Sequence, residues 1–173
     1  EFISYILSQQ NVNNNIISQI KKECLYQLGN FPNIDHIVKY IEDCKGNIYF
    51  TGIGKSENIA IHCCNLLKCI GLNAFYLNPT NSLHGDIGVV KSNDIVFLFS
   101  RSGNTLELVL LLEYLKDRCL TIGICCKENS LFKINCNINL ILPFNSEINS
   151  NINMIPTNSY MVQMFFSNIL VSK

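Results

Sequence analysis

The hydrophobic positions along this chain change their spacing near residue 46. Up to that point apolar residues recur every three or four positions, over 2–28 with an Asn-rich interruption at 11–15, and again over 34–44. Such spacing predicts one broken helix or two helices, followed by a further helix. We therefore expect one domain over residues 1–173, in which a helical segment, 1–45, packs on a core formed by 46–173.

Beyond residue 46 the pattern changes to short, continuous apolar runs that are typical of strands buried on both faces. The predicted strands are Asn47–Thr51, Ala74–Leu77, Asp94–Phe99, Leu120–Cys125 and Ile138–Leu142. The predicted helices between and after them are Glu57–Ile70, Asn104–Arg118, a short turn near Ser130, and Thr157–Val171. This alternation predicts a three-layer αβα sandwich around a doubly wound, mostly parallel, five-stranded sheet.

Composition narrows the choice of partner and compartment. Charged residues make up only 15% of the 173 residues, and the formal net charge is +0. A neutral chain without a basic block argues against nucleic acid and membrane surfaces as partners. The nine cysteines are odd in number, lie mostly in apolar runs and lack Cys-x-x-Cys spacing. They indicate reduced thiols in the cytoplasm, and from residues 1–173 we expect neither a signal peptide nor a membrane-spanning helix.

The segment Ser100–Thr105 joins the third predicted strand to its helix and has the composition of a phosphate site. Ser100, Ser102 and Thr105 offer hydroxyl donors, and Gly103 allows the backbone to approach a ligand. The amides and the positive dipole end of a helix N-terminus favour an anion there. The same residues are also ordinary strand-to-helix turn chemistry, with Asn104 as the helix N-cap, and most such turns bind nothing.

The segment Gly52–Ser56, after the first predicted strand, comes close to two nucleotide motifs and completes neither. A P-loop requires glycine where this chain has Tyr49, and a dinucleotide fingerprint requires glycine at Glu57. An ATPase or a dehydrogenase is therefore disfavoured. The loops after the first and third strands should be neighbours where the strand order reverses, which is where such sheets bind ligands. Lys55 would then either hold a phosphate or sugar oxygen or be a solvated surface lysine.

Two more side chains are candidates for chemistry at this edge of the sheet. Glu107 lies on the first turn of the helix after Ser100–Thr105, where a carboxylate is placed to act as a base on a bound sugar. Its spacing from Asn104 is also that of a capping box. His84 lies in a predicted loop beside a glycine and an aspartate, and a single histidine in such a loop is as often structural as functional.

Four motifs, in order, resemble the sugar isomerase (SIS) domain family, and within it the arabinose-5-phosphate isomerase branch. They are Gly-Ile-Gly-Lys-Ser at Gly52–Ser56, Leu-His-Gly-Asp-Ile-Gly at Leu83–Gly88, Ser-Arg-Ser-Gly-Asn-Thr-Leu-Glu at Ser100–Glu107, and Pro-Thr-Asn-Ser at Pro156–Ser159. The resemblance implies a flavodoxin-like domain that interconverts an aldose phosphate and a ketose phosphate through a cis-enediol. Arabinose 5-phosphate and ribulose 5-phosphate are the implied pair, with no nucleotide, metal or other cofactor.

The resemblance also assigns roles to single residues. Lys55, Glu107 and Glu147 fall at catalytic positions. Glu107 is preferred as the base because its place on a helix is better defined, and Glu147 has the alternative of a solvated loop carboxylate. The implied substrate-binding residues are Gly54, Ser56, His84, Ser100, Ser102, Gly103, Thr105 and Thr157. The family's remaining catalytic position is a histidine beyond the last helix, and no residue up to Lys173 matches it.

Two expectations concern the whole protein. A homodimer or homotetramer is implied by the resemblance and agrees with an apparent excess of apolar residues at Leu108–Leu112 and Ile59–Leu67. The ligand is expected to be a phosphorylated sugar. A non-catalytic module that binds a phosphosugar as a regulatory signal is the alternative. The segment Ser100–Thr105, called the phosphate loop below, would serve both functions.

Overall fold

Strands and helices alternate along the chain as the hydrophobic pattern predicts. This computed structural model describes residues 2–148 and 155–173, and for residues 2–13 only the backbone. The strands are β1 (Ile48–Gly52), β2 (Ala74–Tyr76), β3 (Ile95–Phe99), β4 (Leu120–Cys125) and β5 (Ile138–Ile141). The helices are α1 (Phe2–Gly29), α2 (Asp35–Asp43), α3 (Lys55–Cys69), α4 (Pro79–Leu83), α5 (Leu106–Leu115), α6 (Leu131–Asn135) and α7 (Asn158–Ser172), with a 3-10 helix over Asp86–Val89.

The sheet is parallel throughout, in the order β2-β1-β3-β4-β5. The central pair is in register from Ile48 opposite Ile95 to Gly52 opposite Phe99. The strand order reverses between β1 and β3, because β2 lies on the far side of β1 and β4 on the far side of β3. The loops after β1 and β3 therefore leave adjacent strands at the same edge, as predicted, and this edge is where open α/β sheets bind ligands.

Helices cover both faces of the sheet, which confirms the predicted αβα sandwich. On one face α2, α3 and α7 surround a cluster of aromatic rings, in which Phe50 stacks on Phe97 with centroids 4.9 Å apart and Phe166 contacts both Phe97 and Phe99. The other face is covered by α5 and α6 through fully buried side chains, namely Leu108, Leu111, Leu112, Leu115 and Phe132. Because both faces are covered, the strands are apolar at almost every position.

The N-terminal segment differs from the prediction of an interruption at 11–15. The backbone of α1 continues without a break from Phe2 to Gly29. Asparagine is only a weak helix former, unlike proline, so a helix can pass through an Asn-rich stretch. Near its C-terminal end α1 contacts the start of α7, where Gln27 Nε2 donates to the carbonyl of Asn158 at 3.0 Å. No helix of the described ranges, α1 included, combines the length and apolar character that a bilayer crossing requires.

The connection from β2 to β3 contains two short helices where the sequence predicted a loop. Asn78 is the N-cap of α4, since its Oδ1 accepts from Asn81 N at 2.9 Å, and Pro79 occupies the first helical position. Both are helix-start signals that carry no hydrophobic periodicity. His84 is the C-cap of α4. The histidine is therefore held at the end of a helix rather than in an extended loop.

The two stretches that suggested an excess of apolar surface are mostly interior. Leu108, Leu111 and Leu112 are 0% exposed, and Ile59 and Leu67 of α3 are also buried. The exposed apolar residues of α5 lie on its other side and form a stripe at helical spacing, Leu106, Leu110 and Tyr114, which are 66%, 39% and 62% exposed. The surface argument for assembly thus rests on this stripe, which shares only Leu110 with the predicted stretches.

The cysteines are free thiols in this structure. Burial raises the pKa of Cys63, Cys119, Cys126 and Cys136, each to about 12. A thiol with so high a pKa carries little thiolate at neutral pH and is a poor nucleophile. These cysteines therefore act as small core residues.

Candidate functional site

The segment Ser100–Thr105 leaves the carboxyl end of β3 and brings three hydroxyl groups together. Ser100 Oγ lies 2.8 Å from Thr105 Oγ1 and 3.4 Å from Ser102 Oγ. The amide of Gly103 donates to Ser100 Oγ at 3.0 Å, which holds the turn closed. Thr105 is the N-cap residue of α5, but its side chain makes no capping hydrogen bond. An anion in this loop would therefore meet converging hydroxyls and an uncapped helix N-terminus.

Asn104 does not cap α5, and the predicted capping box with Glu107 is wrong. The helix begins at Leu106, so Glu107 occupies the second position of its first turn. The side chain of Asn104 points to another helix, where its Oδ1 accepts from Leu131 N at 2.7 Å. Glu107 is half-buried beside the phosphate loop. Its carboxylate is therefore not explained by a capping role.

The segment Gly52–Ser56 leaves β1 next to this loop, because Gly52 pairs with Phe99 across the two strands. Gly54 has φ +62°, a left-handed conformation that favours glycine. The helix α3 begins at Lys55, two residues before the predicted start, so Lys55 and Ser56 both belong to its first turn. Lys55 is exposed and Ser56 is half-buried. A second helix N-terminus thus stands beside the first.

Glu147 is buried against the start of α7, with only 2% of its surface exposed, and is not a solvated loop carboxylate. Its Oε2 accepts from the amides of Thr157 and Ser159 at 2.8 and 3.2 Å and from Thr157 Oγ1 at 3.0 Å. Its Oε1 accepts from Ser159 Oγ at 2.5 Å and from Arg101 at 3.3 Å. The carboxylate of Glu147, ten residues before Thr157, therefore caps α7. Thr157 is of a residue type that often caps helices, but its side chain makes no capping hydrogen bond.

These contacts decide the charge state of Glu147. Burial alone would raise the pKa of its carboxyl, but hydrogen bonds from the Ser159 hydroxyl and from the Thr157 and Ser159 amides outweigh burial and lower it. A carboxylate with a lowered pKa and occupied lone pairs is a poor proton acceptor. Of the two candidate carboxylates, the geometry therefore favours Glu107 as the base.

The lowered pKa of Glu147 makes the stability of the fold depend on pH. In the unfolded chain this carboxyl titrates near its ordinary pKa of 4.5, and in the folded chain below it. Its contribution is complete above the unfolded pKa and is lost as the pH falls through the folded pKa. We expect the urea concentration at the unfolding midpoint to decrease as the pH is lowered below about 4.5. This decrease with pH should be less steep in a Glu147→Gln variant. If the urea midpoint depended on pH equally steeply in the wild type and in the variant, the pH dependence would belong to another group.

The structure thus places the predicted site residues in two clusters and one separate position. Ser100, Ser102, Gly103 and Thr105 come together, with Gly54, Lys55 and Ser56 at the neighbouring strand end. Glu147 and Thr157 form the second cluster, and the hydroxyl of Thr157 also accepts from Ile148 N at 2.9 Å. His84 is exposed at the end of α4, a helix that contacts α5. Residues 149–154, between the two ends of the second cluster, lie outside the described range.

Arg101 connects the two clusters, and the sequence analysis did not single it out. It stands between Ser100 and Ser102, and its guanidinium lies 3.3 Å from the carboxylate of Glu147. Its position in the sequence, a cationic side chain within Ser100–Thr105, could have marked it as a candidate site residue. Its contact with a residue 46 positions away becomes visible only in the tertiary structure.

Gly103, the glycine of the phosphate loop, has no room for a side chain. Its φ is +66°, and an added Cβ would lie 2.6 Å from Ser130 Cβ. We expect Gly103→Ala to lower the free energy of unfolding by about 3 kcal/mol, through backbone strain and overpacking together. Gly71→Ala is the control, because Gly71 has φ +84° and open space around it. The control should cost about 1 kcal/mol from strain alone; equal losses in urea titrations would contradict the contact with Ser130.

Comparisons with known proteins point to one family. Residues 40–173 match the SIS domain. A protein of Chlamydia muridarum, named only as uncharacterized, is 39% identical over 127 residues, which are 73% of this chain and 38% of that protein. The arabinose 5-phosphate isomerase GutQ of Escherichia coli K12 is 35% identical over 79 residues, 46% of this chain and 25% of GutQ. The chain therefore spans less than half the length of these curated relatives.

The same likeness extends to solved structures. The protein c3406 of Escherichia coli CFT073, in complex with arabinose 5-phosphate, superimposes with a TM-score of 0.81 and is 25% identical. The match covers 99% of this chain and 90% of that one. The fold described above is therefore shared over nearly the whole chain.

Proposed function

We propose that this chain, which belongs to the SIS domain family, interconverts an aldose phosphate and a ketose phosphate of the arabinose 5-phosphate and ribulose 5-phosphate type. One observation carries the proposal. Three hydroxyls converge at an uncapped helix N-terminus, and Glu107 stands on the first turn of that same helix. A phosphate seat and a carboxylate are thus held on one rigid element. The likeness to GutQ and to the sugar-phosphate complex of c3406 supports this substrate class.

In the proposed complex the phosphate binds in the loop after β3. The hydroxyls of Ser100, Ser102 and Thr105 donate to its oxygens, and Gly103 lets the backbone come close. Gly54 and Ser56, at the start of α3, complete the cradle from the neighbouring strand. His84 and Thr157 are assigned to the sugar by the family motif alone.

The chemistry requires only proton transfers. Glu107 would take the proton from C2 of the open-chain aldose while O1 gains a proton, which gives a cis-enediol. It would then return its proton to C1 while the O2 hydroxyl loses one, so that the ketose forms and the net change at the oxygens is one proton moved from O2 to O1. Lys55 would stabilise the negative charge that develops on the sugar oxygens, since it stands on the first turn of the helix beside the same loop. Glu147, already ionised and hydrogen-bonded, would keep Arg101 and the start of α7 in place.

A second candidate function is a regulatory module that binds a phosphosugar without converting it. The contacts of Glu147 favour this function. Its carboxylate, at one of the family's catalytic positions, is already hydrogen-bonded to Thr157 and Ser159. A sensor needs the phosphate seat but no free base. The two functions therefore differ in whether Glu107 exchanges a proton with the bound sugar.

Proton NMR of arabinose 5-phosphate in deuterated water, with the full-length protein, tests the proposal. Deuterium entering C2 would establish proton transfer and support the isomerase. Binding measured by calorimetry without exchange at C2 would favour the regulatory module. Absence of both would overturn both functions.

We also propose that residues 1–173 form a single domain, and that this domain assembles as a homodimer or homotetramer in the cytoplasm. The stripe of Leu106, Leu110 and Tyr114 along α5 supports assembly, because contiguous exposed apolar side chains mark contact surfaces. The free thiols fit a reducing compartment. Nucleic acid and membrane surfaces are not proposed as partners, given a formal net charge of +0.

A further inference from the structure

The phosphate loop is held from outside the proposed active site by the connection between β4 and α6. Asn104 Oδ1 accepts from Leu131 N at 2.7 Å, and its Nδ2 lies 3.5 Å from the carbonyl of Asn129. The carbonyl of Gly103 accepts from Phe132 N at 3.2 Å. Two consecutive residues of the loop are therefore hydrogen-bonded to three positions of another segment.

The segment that receives these bonds is itself firmly placed. Phe132 is 0% exposed and belongs to the core under α5. Ser130 is the N-cap of α6, since its Oγ accepts from Lys133 N at 3.3 Å, and it fills the space that a side chain at Gly103 would need. The start of α6 therefore provides a rigid support for the phosphate loop.

Asn104 also acts on the loop from within. Its own amide donates to Ser102 Oγ at 3.1 Å, while its side chain reaches Leu131. One residue thus connects a phosphate-binding hydroxyl to the start of α6. Ordering such a loop only when the ligand binds would reduce the affinity, because the lost conformational entropy is subtracted from the binding energy.

We propose that Asn104 is a positioning residue for phosphate recognition, which pre-orders Ser102–Thr105 through its bond to Leu131. The inference rests on the proposed function, since it takes the phosphate of a sugar as the ligand. It assigns to Asn104 an effect on affinity and not on chemistry. Glu107 belongs to α5, which is anchored independently by Leu108 and Leu111. Its place does not depend on the Asn104 side chain.

The test compares Asn104→Ala with Asn135→Ala. Asn135 is an asparagine of α6 whose Nδ2 donates to the carbonyl of Leu131 at 2.9 Å, at the opposite end of the helix from the phosphate loop. Calorimetry should show the Kd of arabinose 5-phosphate rising roughly three- to tenfold in Asn104→Ala and staying unchanged in the control. The rate of deuterium exchange at saturating sugar should change less than about twofold. An unchanged Kd, or an equal loss in both variants, would overturn the inference.

Amide hydrogen exchange followed by NMR gives a second readout that needs no sugar. The Leu131 amide and residues 102–105 should lose protection in Asn104→Ala, and Asn104→Asp, which keeps an acceptor oxygen, should restore protection at Leu131. If the wild-type protein binds no sugar phosphate, the proposed function fails, and this readout alone decides about Asn104. Wild-type protection in Asn104→Ala would then refute the positioning role, and lost protection would support it.

Discussion

Replacing Glu107 by glutamine is expected to slow deuterium incorporation at C2 of arabinose 5-phosphate by about 10²- to 10⁴-fold. Glutamine has nearly the same shape as glutamate but cannot accept the C2 proton. The hydroxyls of Ser100, Ser102 and Thr105 are untouched by this change, so the Kd of the sugar phosphate should stay within about twofold of the wild-type value. The two quantities are measured by NMR and by calorimetry on the same samples.

Glu113→Gln is the matched control for this experiment. Glu113 lies on the same helix, six residues farther from the phosphate loop, and is exposed. Its replacement should leave the exchange rate and the Kd unchanged. Wild-type exchange in Glu107→Gln would remove Glu107 from the mechanism and return the role of base to Glu147.

Replacing Glu147 by alanine is expected to lower the free energy of unfolding by about 3 kcal/mol. The loss comes mainly from the donors left without an acceptor at the start of α7. Ser159 is 1% exposed, so water does not replace the carboxylate at its hydroxyl and amide. The ion pair contributes less, because the side chain of Arg101 is 41% exposed and therefore partly screened by water.

Urea titration at neutral pH measures this loss, with Glu128→Ala as the control. Glu128 also forms an ion pair, with Lys133 at 3.8 Å, but both side chains are mostly exposed. Removing it should change the free energy of unfolding by less than about 0.5 kcal/mol. A loss in Glu147→Ala as small as in the control would show that the network around α7 does not stabilise the fold.

The two predictions also separate the two carboxylates. If Glu107 is the base and Glu147 a structural residue, Glu107→Gln loses exchange while keeping its stability, and Glu147→Ala loses stability first. The regulatory module predicts instead that neither variant changes exchange, because none occurs in the wild type. The loss of stability expected in Glu147→Ala is the same under either function, because it depends only on the hydrogen bonds at the start of α7.

The strand pattern and the phosphate loop were readable from the chain because their causes are local. A strand buried on both faces is apolar at successive positions, as Ile95–Phe99 is, and the residues of a helix start follow it within a few positions. The reversal of strand order between β1 and β3 is typical of the doubly wound sheet that the alternation predicted. Ser100, Ser102, Gly103 and Thr105 could therefore be placed at one sheet edge in advance.

Two differences from the prediction arise where a polar group outside the helix takes the side chain expected to cap it. Asn104 has the sequence of an N-cap for α5, but the amide of Leu131 takes its side chain. Thr157 and Ser159 have the sequence of local caps for α7, but both donate to Glu147 instead. The spacing of hydrophobic residues predicts neither of these hydrogen-bond partners, because each depends on which polar group is nearest after folding.

The amino-acid pattern alone thus determined the layers, the strand positions and the edge that carries the phosphate loop, because burial on both faces of a sheet requires continuous apolar runs at the strand positions. Only the tertiary structure decided what surrounds each of the two candidate carboxylates. Glu147 is taken up by the start of α7 and by Arg101, and Glu107 is freed from capping because Asn104 turns to Leu131. The pKa and the reach of a side chain depend on neighbours that sequence distance does not reveal.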